Sequence, residues 1–375
     1  MSSAVSIINR IVDGPNRQRA LLDLLRTSPK HVLMYGAGVY AYVLKGFLEA
    51  NGIAVAAVMV DAERKTADTF MNMKVTTTEE TAGRLADYHV VLGITNYPAV
   101  VAKLARLGAT EIHVVDIPDY LNMPHAFMDR KFVEDNIVQF DKAAGLFADE
   151  LSRETYIALI NSKINEDLEY LKPHVRLDNL YFPAEFPLVE DQFLLDVGGY
   201  TGDTVREFHA LTDGHYGKII SLEPGEENYR ALLATIEALG LSRVLPLKIG
   251  AWDEKATLRF ATREMNIDNQ IADDGVQEIQ VDRIDAILNG LDFPVTLIKL
   301  DINGAEYRAL SGARETIRRN SPRIVVRMHR KEDLFRLPIL LNEVAPEMKL
   351  HLRQRNYMSM MTVLYGVFDS TFQHR

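Results

Sequence analysis

The chain has 375 residues, long enough for two domains with separate cores, and 42 Lys+Arg against 52 Asp+Glu give it a formal net charge of −10. That acidic balance argues against general binding to nucleic acid or to an anionic membrane surface, both of which draw on a basic excess. The absence of cysteine excludes disulfides, thiolate metal sites and a cysteine nucleophile, and the densest apolar run, Ile53 to Val60, is far too short to span a membrane. The first residues lack the apolar core of a signal peptide, so a soluble, cytoplasmic protein is expected.

Residues 1–30 are predicted to be an N-terminal helical segment, with Leu21, Leu22, Leu24 and Leu25 on one face and a break at Gly14-Pro15. A smaller Rossmann-like domain is expected over 31–120. It has a strand at 31–35, the turn Gly36-Ala37-Gly38, a helix from Val39 to Ala50 and a strand at 54–60 ending at Asp61. Further strands at 90–94 and 112–115 flank a helix from Pro98 to Leu107, and such alternation indicates a parallel sheet. Gly36-x-Gly38-x-x-Ala41 between strand and helix, with Asp61 closing the next strand, has the form of a dinucleotide fingerprint. Gly36, Gly38 and Asp61 are therefore candidates for a second nucleotide site; the competing reading is that the glycines only permit close packing.

Residues 121–172 are predicted to be a helical connector that docks the two sheets or supports a homo-oligomer, and 173–192, with Pro183 and Pro187, a linker or lid. From 193 to 375 a second α/β unit is expected, with strands at 193–197, 218–222, 244–249, 296–300, 323–327, 348–352 and 361–367. Its last two strands are close enough to form a hairpin, which makes the sheet mixed at one edge.

Chemistry concentrates at the carboxyl ends of these later strands. Asp196-Val-Gly198-Gly-Tyr-Thr-Gly202 follows an apolar strand and opens a helix, so its backbone can approach a ligand, and Glu223 ends the next strand, where a carboxylate can hold both hydroxyls of a ribose. The loop is not a phosphate loop, which points to a nucleoside without phosphates. Ala251 and Trp252 follow the third strand, the fourth ends in Asp301-Ile-Asn303-Gly-Ala-Glu306, and the fifth ends near His329. Acids, an amide and an imidazole at one rim suit a polar acceptor and a proton transfer.

Asp196-Val-Gly-Gly-Tyr-Thr-Gly-Asp-Thr204, Leu222-Glu-Pro224, Ile298-Lys-Leu-Asp-Ile-Asn-Gly-Ala-Glu306 and Ala309 to Ile317 resemble the FkbM family of S-adenosylmethionine-dependent methyltransferases. The resemblance covers roughly residues 190–367. It implies a class I methyltransferase seven-stranded sheet, S-adenosyl-L-methionine as cofactor, and O-methylation of a sugar, glycan or related secondary metabolite. Carried across, Asp196, Gly198, Gly202, Glu223, Ala251, Trp252 and Asp301 would bind the cofactor, and Asp301, His329 and Glu306 are the candidates for catalysis. The departure is Asn303, where the family usually has Glu; an amide can hold a hydroxyl but cannot take its proton. No ligand spacing assigns a metal, the alternative being a hard-metal site of Asp301, Asn303 and His329. Two other functions compete: a nucleotide-sugar or NAD-linked oxidoreductase or binding protein working from Gly36, Gly38 and Asp61, and a cofactor-binding protein without transferase activity.

Overall fold

The computed structural model describes residues 6–117, 128–261, 270, 271, 275 and 277–369. Six strands build the first sheet: β1 (His31–Tyr35), β2 (Val55–Val60), β3 (Thr69–Phe70), β4 (Met73–Thr77), β5 (Tyr88–Leu92) and β6 (Ile112–His113), in the order β3-β4-β2-β1-β5-β6. All neighbours are parallel except the β3–β4 pair. The helix Val39–Ala50 starts directly after the Gly36-Ala37-Gly38 turn, and it buries Tyr40, Ala41, Leu44 and Leu48. That three-and-four spacing is what fixes its inner face.

The remaining strands are β7 (Phe193–Val197), β8 (Lys218–Leu222), β9 (Val244–Leu247), β10 (Gly250–Trp252), β11 (Ala256–Ala261), β12 (Gln270–Ile271), β13 (Gln277–Arg283), β14 (Leu297–Leu300), β15 (Arg323–Arg327), β16 (Lys349–Gln354) and β17 (Thr362–Val367). Seven of them form one sheet in the order β16-β17-β15-β14-β7-β8-β9, with β17 antiparallel to both its neighbours. This is the class I methyltransferase arrangement expected from sequence. Its central strands are covered on both faces, so β7 and β14 read as apolar runs rather than alternating ones. Ile298 is fully buried there, and truncating it to alanine would cost about 2–5 kcal/mol. Strands β10 to β13 form a small separate sheet, inserted between β9 and β14, that sequence periodicity did not bring out. Most of the segment 262–276 lies outside the described residues, as do 1–5 and 118–127.

The segment before β1 divides. A 3-10 turn, Ile7–Arg10, packs Ile7 and Ile11 into the core of the seven-stranded sheet, and the Ile7 N–H donates to Asp141 Oδ1 at 2.8 Å. The helix Arg17–Thr27 instead buries Leu22 and Leu25 against the first sheet. The helix Glu150–Asn165 lies along β16, where Ser152 Oγ accepts the Leu352 N–H. The β16–β17 hairpin tip crosses to the first sheet: Met358 is fully buried in its core, and Tyr357 packs at 5.2 Å from the ring of Tyr97.

Candidate active site

In each sheet the chain leaves the first strand in one direction and later returns on its other side, which opens a crevice at the carboxyl ends of the two central strands. In the larger sheet that crevice lies between β7 and β14. Gly198 and Gly199 both donate their N–H to Leu222 O, folding the loop over the end of β8. Gly198 has φ +90°, and a Cβ there would sit 2.3 Å from Asp301 O, so only glycine lets the ends of β7 and β14 close up. Gly202, with φ +83°, opens the helix Asp203–Leu211.

A cavity of about 190 Å³ fills this crevice. Gly198, Glu223, Ala251 and Asp301 all line it, with Phe260, Ile279 and Val281 of the small sheet giving it an apolar wall. Asp196 lies beneath the loop instead, fully buried, with Lys299 Nζ at 3.0 Å and the Ser221 hydroxyl donating to it at 2.8 Å. Lys299 also donates to Gly198 O, so the pair holds the glycine loop in place. Burial works against the Lys299 ammonium, but Asp196 and then Asp301 outweigh it and keep Lys299 charged. Trp252 is not among the residues lining the cavity; the Arg308 guanidinium stands 5.4 Å from its ring.

Glu223 is only 5% exposed, and each carboxylate oxygen accepts a single backbone N–H, one from Tyr200 and one from Gly225. Burial pushes its carboxyl up to about 7 although both N–H groups favour the ion. A carboxylate oxygen has a second lone pair, so both retain room to accept a further donor. The site therefore suits a nucleoside: a diol for Glu223 and apolar surface for a base.

At the other end of the cavity, Asp301 Oδ2 accepts from the Tyr181 hydroxyl at 2.5 Å and from Arg327 at 2.8 Å. His329 is buried with Nε2 3.3 Å from Asp301 Oδ1 and Nδ1 2.9 Å from Glu306 Oε1. Burial pushes the imidazole down, but the two carboxylates overrule it, Glu306 first, and raise it to about 9. Burial would likewise raise Asp301, yet Arg327 and His329 hold it well below the usual carboxylate range. Glu306 is fully buried, and its two oxygens accept the N–H groups of Ile302 and Gly304. Asp301, Glu306 and His329 come near enough to one another for a cation, but Glu306 is committed to that loop and His329 bridges the acids as a proton carrier. Asn303 lines the cavity with φ +53°, a left-handed conformation that asparagine adopts more readily than most side chains.

The grip of Tyr181 and Arg327 on Asp301, and of Lys299 on Asp196, was not read from sequence. A lysine inside the apolar run Ile298-Lys299-Leu300 and an arginine ending Val325-Val326-Arg327 are signals in retrospect. Tyr181 carries none, because its partner Asp301 is 120 residues away. The proline-containing segment that holds it is pinned down: Arg323 donates to Phe186 O and Pro187 O, and Glu185 pairs with Arg353 and Arg355.

In the smaller sheet, Gly36 has φ +112° and faces Gly93 O, 2.8 Å from where a Cβ would be, whereas a Cβ on Gly38 would meet nothing. Asp61 pairs with Lys103 at 2.8 Å and accepts from Thr78. The hollow beside this turn measures about 50 Å³ and is lined by Ala37, Val60, Arg64, Lys65 and Phe70 among others, without Gly36, Gly38 or Asp61. The hairpin tip stands over the end of β5, where Asn356 donates to Thr95 Oγ1 at 3.2 Å.

Residues 196–358, which hold every residue lining the crevice except Tyr181, match the sequence profile of the methyltransferase FkbM domain. The chain carries a methyltransferase domain of the FkbM family. S-adenosylmethionine is its cofactor, in keeping with the diol-sized carboxylate site and the absence of a phosphate loop. No curated protein matches the chain in sequence. The FkbM methyltransferase of Methylobacillus flagellatus KT is similar in structure over 96% of this chain and 97% of its own, with 19% identity and a TM-score of 0.65, a likeness of fold. Fibrillarin of Aeropyrum pernix, solved with natively bound S-adenosyl-L-methionine, aligns over 48% of this chain and 67% of its own at 13% identity and a TM-score of 0.32. Among the described residues no helix is long and apolar enough to cross a membrane.

Proposed function

We propose that this FkbM domain methylates a hydroxyl oxygen of a sugar, glycan or related metabolite. The observation that carries this reading is that Glu223 and Asp301 line one cavity in different states, one a carboxyl poised near neutrality and the other a fixed carboxylate. Glu223 would accept the ribose hydroxyls, the Gly198 loop would meet the amino-acid part, and Ala251 with Phe260, Ile279 and Val281 would cover the adenine. S-adenosylmethionine supplies a methyl group already activated on a sulfonium.

Asp301 would orient the acceptor hydroxyl and take its proton as the new bond forms. Of the three catalytic candidates it alone lines the cavity as an ion, with Oδ2 filled by Tyr181 and Arg327 and one lone pair of Oδ1 left beside His329; His329 already carries its proton, and Glu306 is buried under the loop. Arg327, His329 and Tyr181 fix its direction. A carboxylate this acidic is a weak base, so positioning supplies much of the rate. Glu306 and His329 are thus positioning residues, and Asn303 would hold the acceptor by its amide.

The test is transfer of labelled methyl to a panel of sugars and glycans, compared between the native chain and Asp301→Asn. Turnover is expected to fall about 100-fold, the lower end for loss of a positioned base, with affinity for S-adenosylhomocysteine kept within a few-fold. Transfer to amines alone, or undiminished turnover in the variant, would overturn the hydroxyl reading.

A further inference from the structure

At the amino-terminal edge of the smaller sheet, far along the chain from the methyl-transfer site, three side chains converge. His89 is the second residue of β5, and Glu111 and His113 flank the first residue of the edge strand β6, two apart and so on one face. The parallel pairing of Val90 with Ile112 and Val91 with His113 sets His89 beside both. His89 Nδ1 lies 2.6 Å from Glu111 Oε2 and 3.0 Å from His113 Nε2.

One ring nitrogen cannot satisfy both neighbours, because it offers either one proton or one lone pair. With a proton it serves Glu111 or His113 and leaves the other facing it unbonded; without one, it can accept from His113 Nε2–H but meets the Glu111 carboxylate lone pair to lone pair. A cation at their centre satisfies all three together. Ligand atoms about 2.0–2.2 Å from a tetrahedral zinc are roughly 3.3 Å from each other; the His89–His113 separation of 3.0 Å is near that, the His89–Glu111 separation of 2.6 Å is shorter and would open on binding, and all three atoms lie within 4.8 Å of one another. The outer contacts agree. His89 Nε2 is 2.8 Å from Ser28 Oγ, which fixes the ring and leaves Nδ1 turned inward, and Lys30 donates to the far oxygen of Glu111, Oε1, leaving Oε2 turned inward. Such partners on the distal atoms are the usual support of a metal-binding histidine and carboxylate.

We propose that His89, Glu111 and His113 bind one divalent transition-metal ion, zinc by the character of the donors, with water completing the tetrahedron. Glu111 and His113 are partly exposed, so the ion has a route in from solvent. Bound there it cross-links the two-residue strand β6 to β5 and, through Ser28 and Lys30, to the turn before β1. The site does not depend on the methyl-transfer reading.

The experiment is calorimetric titration of zinc chloride into the metal-stripped full chain, repeated with cobalt(II) under visible absorption. One equivalent of zinc should bind, cobalt should show the intense visible bands of a tetrahedral site, and the melting temperature should rise with zinc. His113→Ala and Glu111→Gln, with folding checked by circular dichroism, should weaken zinc at least roughly 100-fold, and Ser28→Ala about tenfold. No saturable binding at one equivalent, or equal binding in His113→Ala and Glu111→Gln, would overturn the site.

Discussion

The two sheets of this molecule repeat one design, a glycine turn after the first strand and an acidic residue after the second, and they use it differently. Asp61 ends β2 and is taken up by Lys103 and Thr78, from elements of its own sheet's surroundings. Among the described residues Glu223, at the end of β8, is met only by backbone N–H groups, over a cavity about four times the volume of the hollow near Asp61 (190 against 50 Å³). Burial leaves Glu223 near neutrality, whereas Asp61 is held below its ordinary value by Lys103 and Tyr35 against its own desolvation. The lesson is that a dinucleotide-type fingerprint records how a strand meets a helix. Whether it serves a ligand depends on what else claims the acidic residue.

The sharpest way to break this comparison is through the charge pairs. Lys299→Met would strand the buried Asp196 beneath the glycine loop and is expected to cost about 3–5 kcal/mol in urea denaturation. Lys103→Met, at a partly exposed pair, should cost no more than about 1 kcal/mol. Equal losses would mean that the two loops are supported alike.

Glycine substitutions give a smaller effect. Gly198→Ala forces a Cβ into Asp301 O at a left-handed residue and should destabilise by at least about 1–2 kcal/mol, with loss of cofactor binding. Gly38→Ala has open space around the new carbon and an ordinary negative φ of −98°, so thermal melting should show a change within about 0.5 kcal/mol.

Much of the architecture was legible because it rests on local signals. Strands β1, β7, β8 and β15 and the helix Val39–Ala50 have the residues expected, each being an apolar run bounded by glycine, proline or charge. The strand expected at 90–94 runs instead over Tyr88–Leu92, since the pairing of β5 with β1 begins at His31 and Tyr88. Strands β3 and β4 and the small sheet were not read, although Leu258 and Phe260 alternate with polar neighbours in the manner of a half-buried strand. At the site, the residues that end strands were accessible to reasoning. The grip of Tyr181 on Asp301 and the crossing of Met358 into the first sheet were not, because nothing near either residue records a partner so far along the chain.

The pH dependence of binding is a finer probe of the same contrast. The Glu223 carboxyl lies at about 7, above its ordinary 4.5, so as a free group it favours the fold below pH 4.5 and loses that contribution as pH rises through 7. A diol donates to the ionised form. Affinity for S-adenosylhomocysteine should therefore be level above pH 7 and weaken below it, by at most about tenfold per pH unit. Glu223→Gln should bind more weakly and show no such slope.

The central claim is that the nucleoside site belongs to Glu223 and not to Asp61, and calorimetric titration of S-adenosylhomocysteine tests it most directly. The native chain and Asp61→Ala should bind one equivalent with the same affinity, and Glu223→Ala should lose at least roughly 100-fold, the lower bound for two hydrogen bonds to a charged group. Undiminished binding in Glu223→Ala, or a site that vanishes in Asp61→Ala, would contradict it.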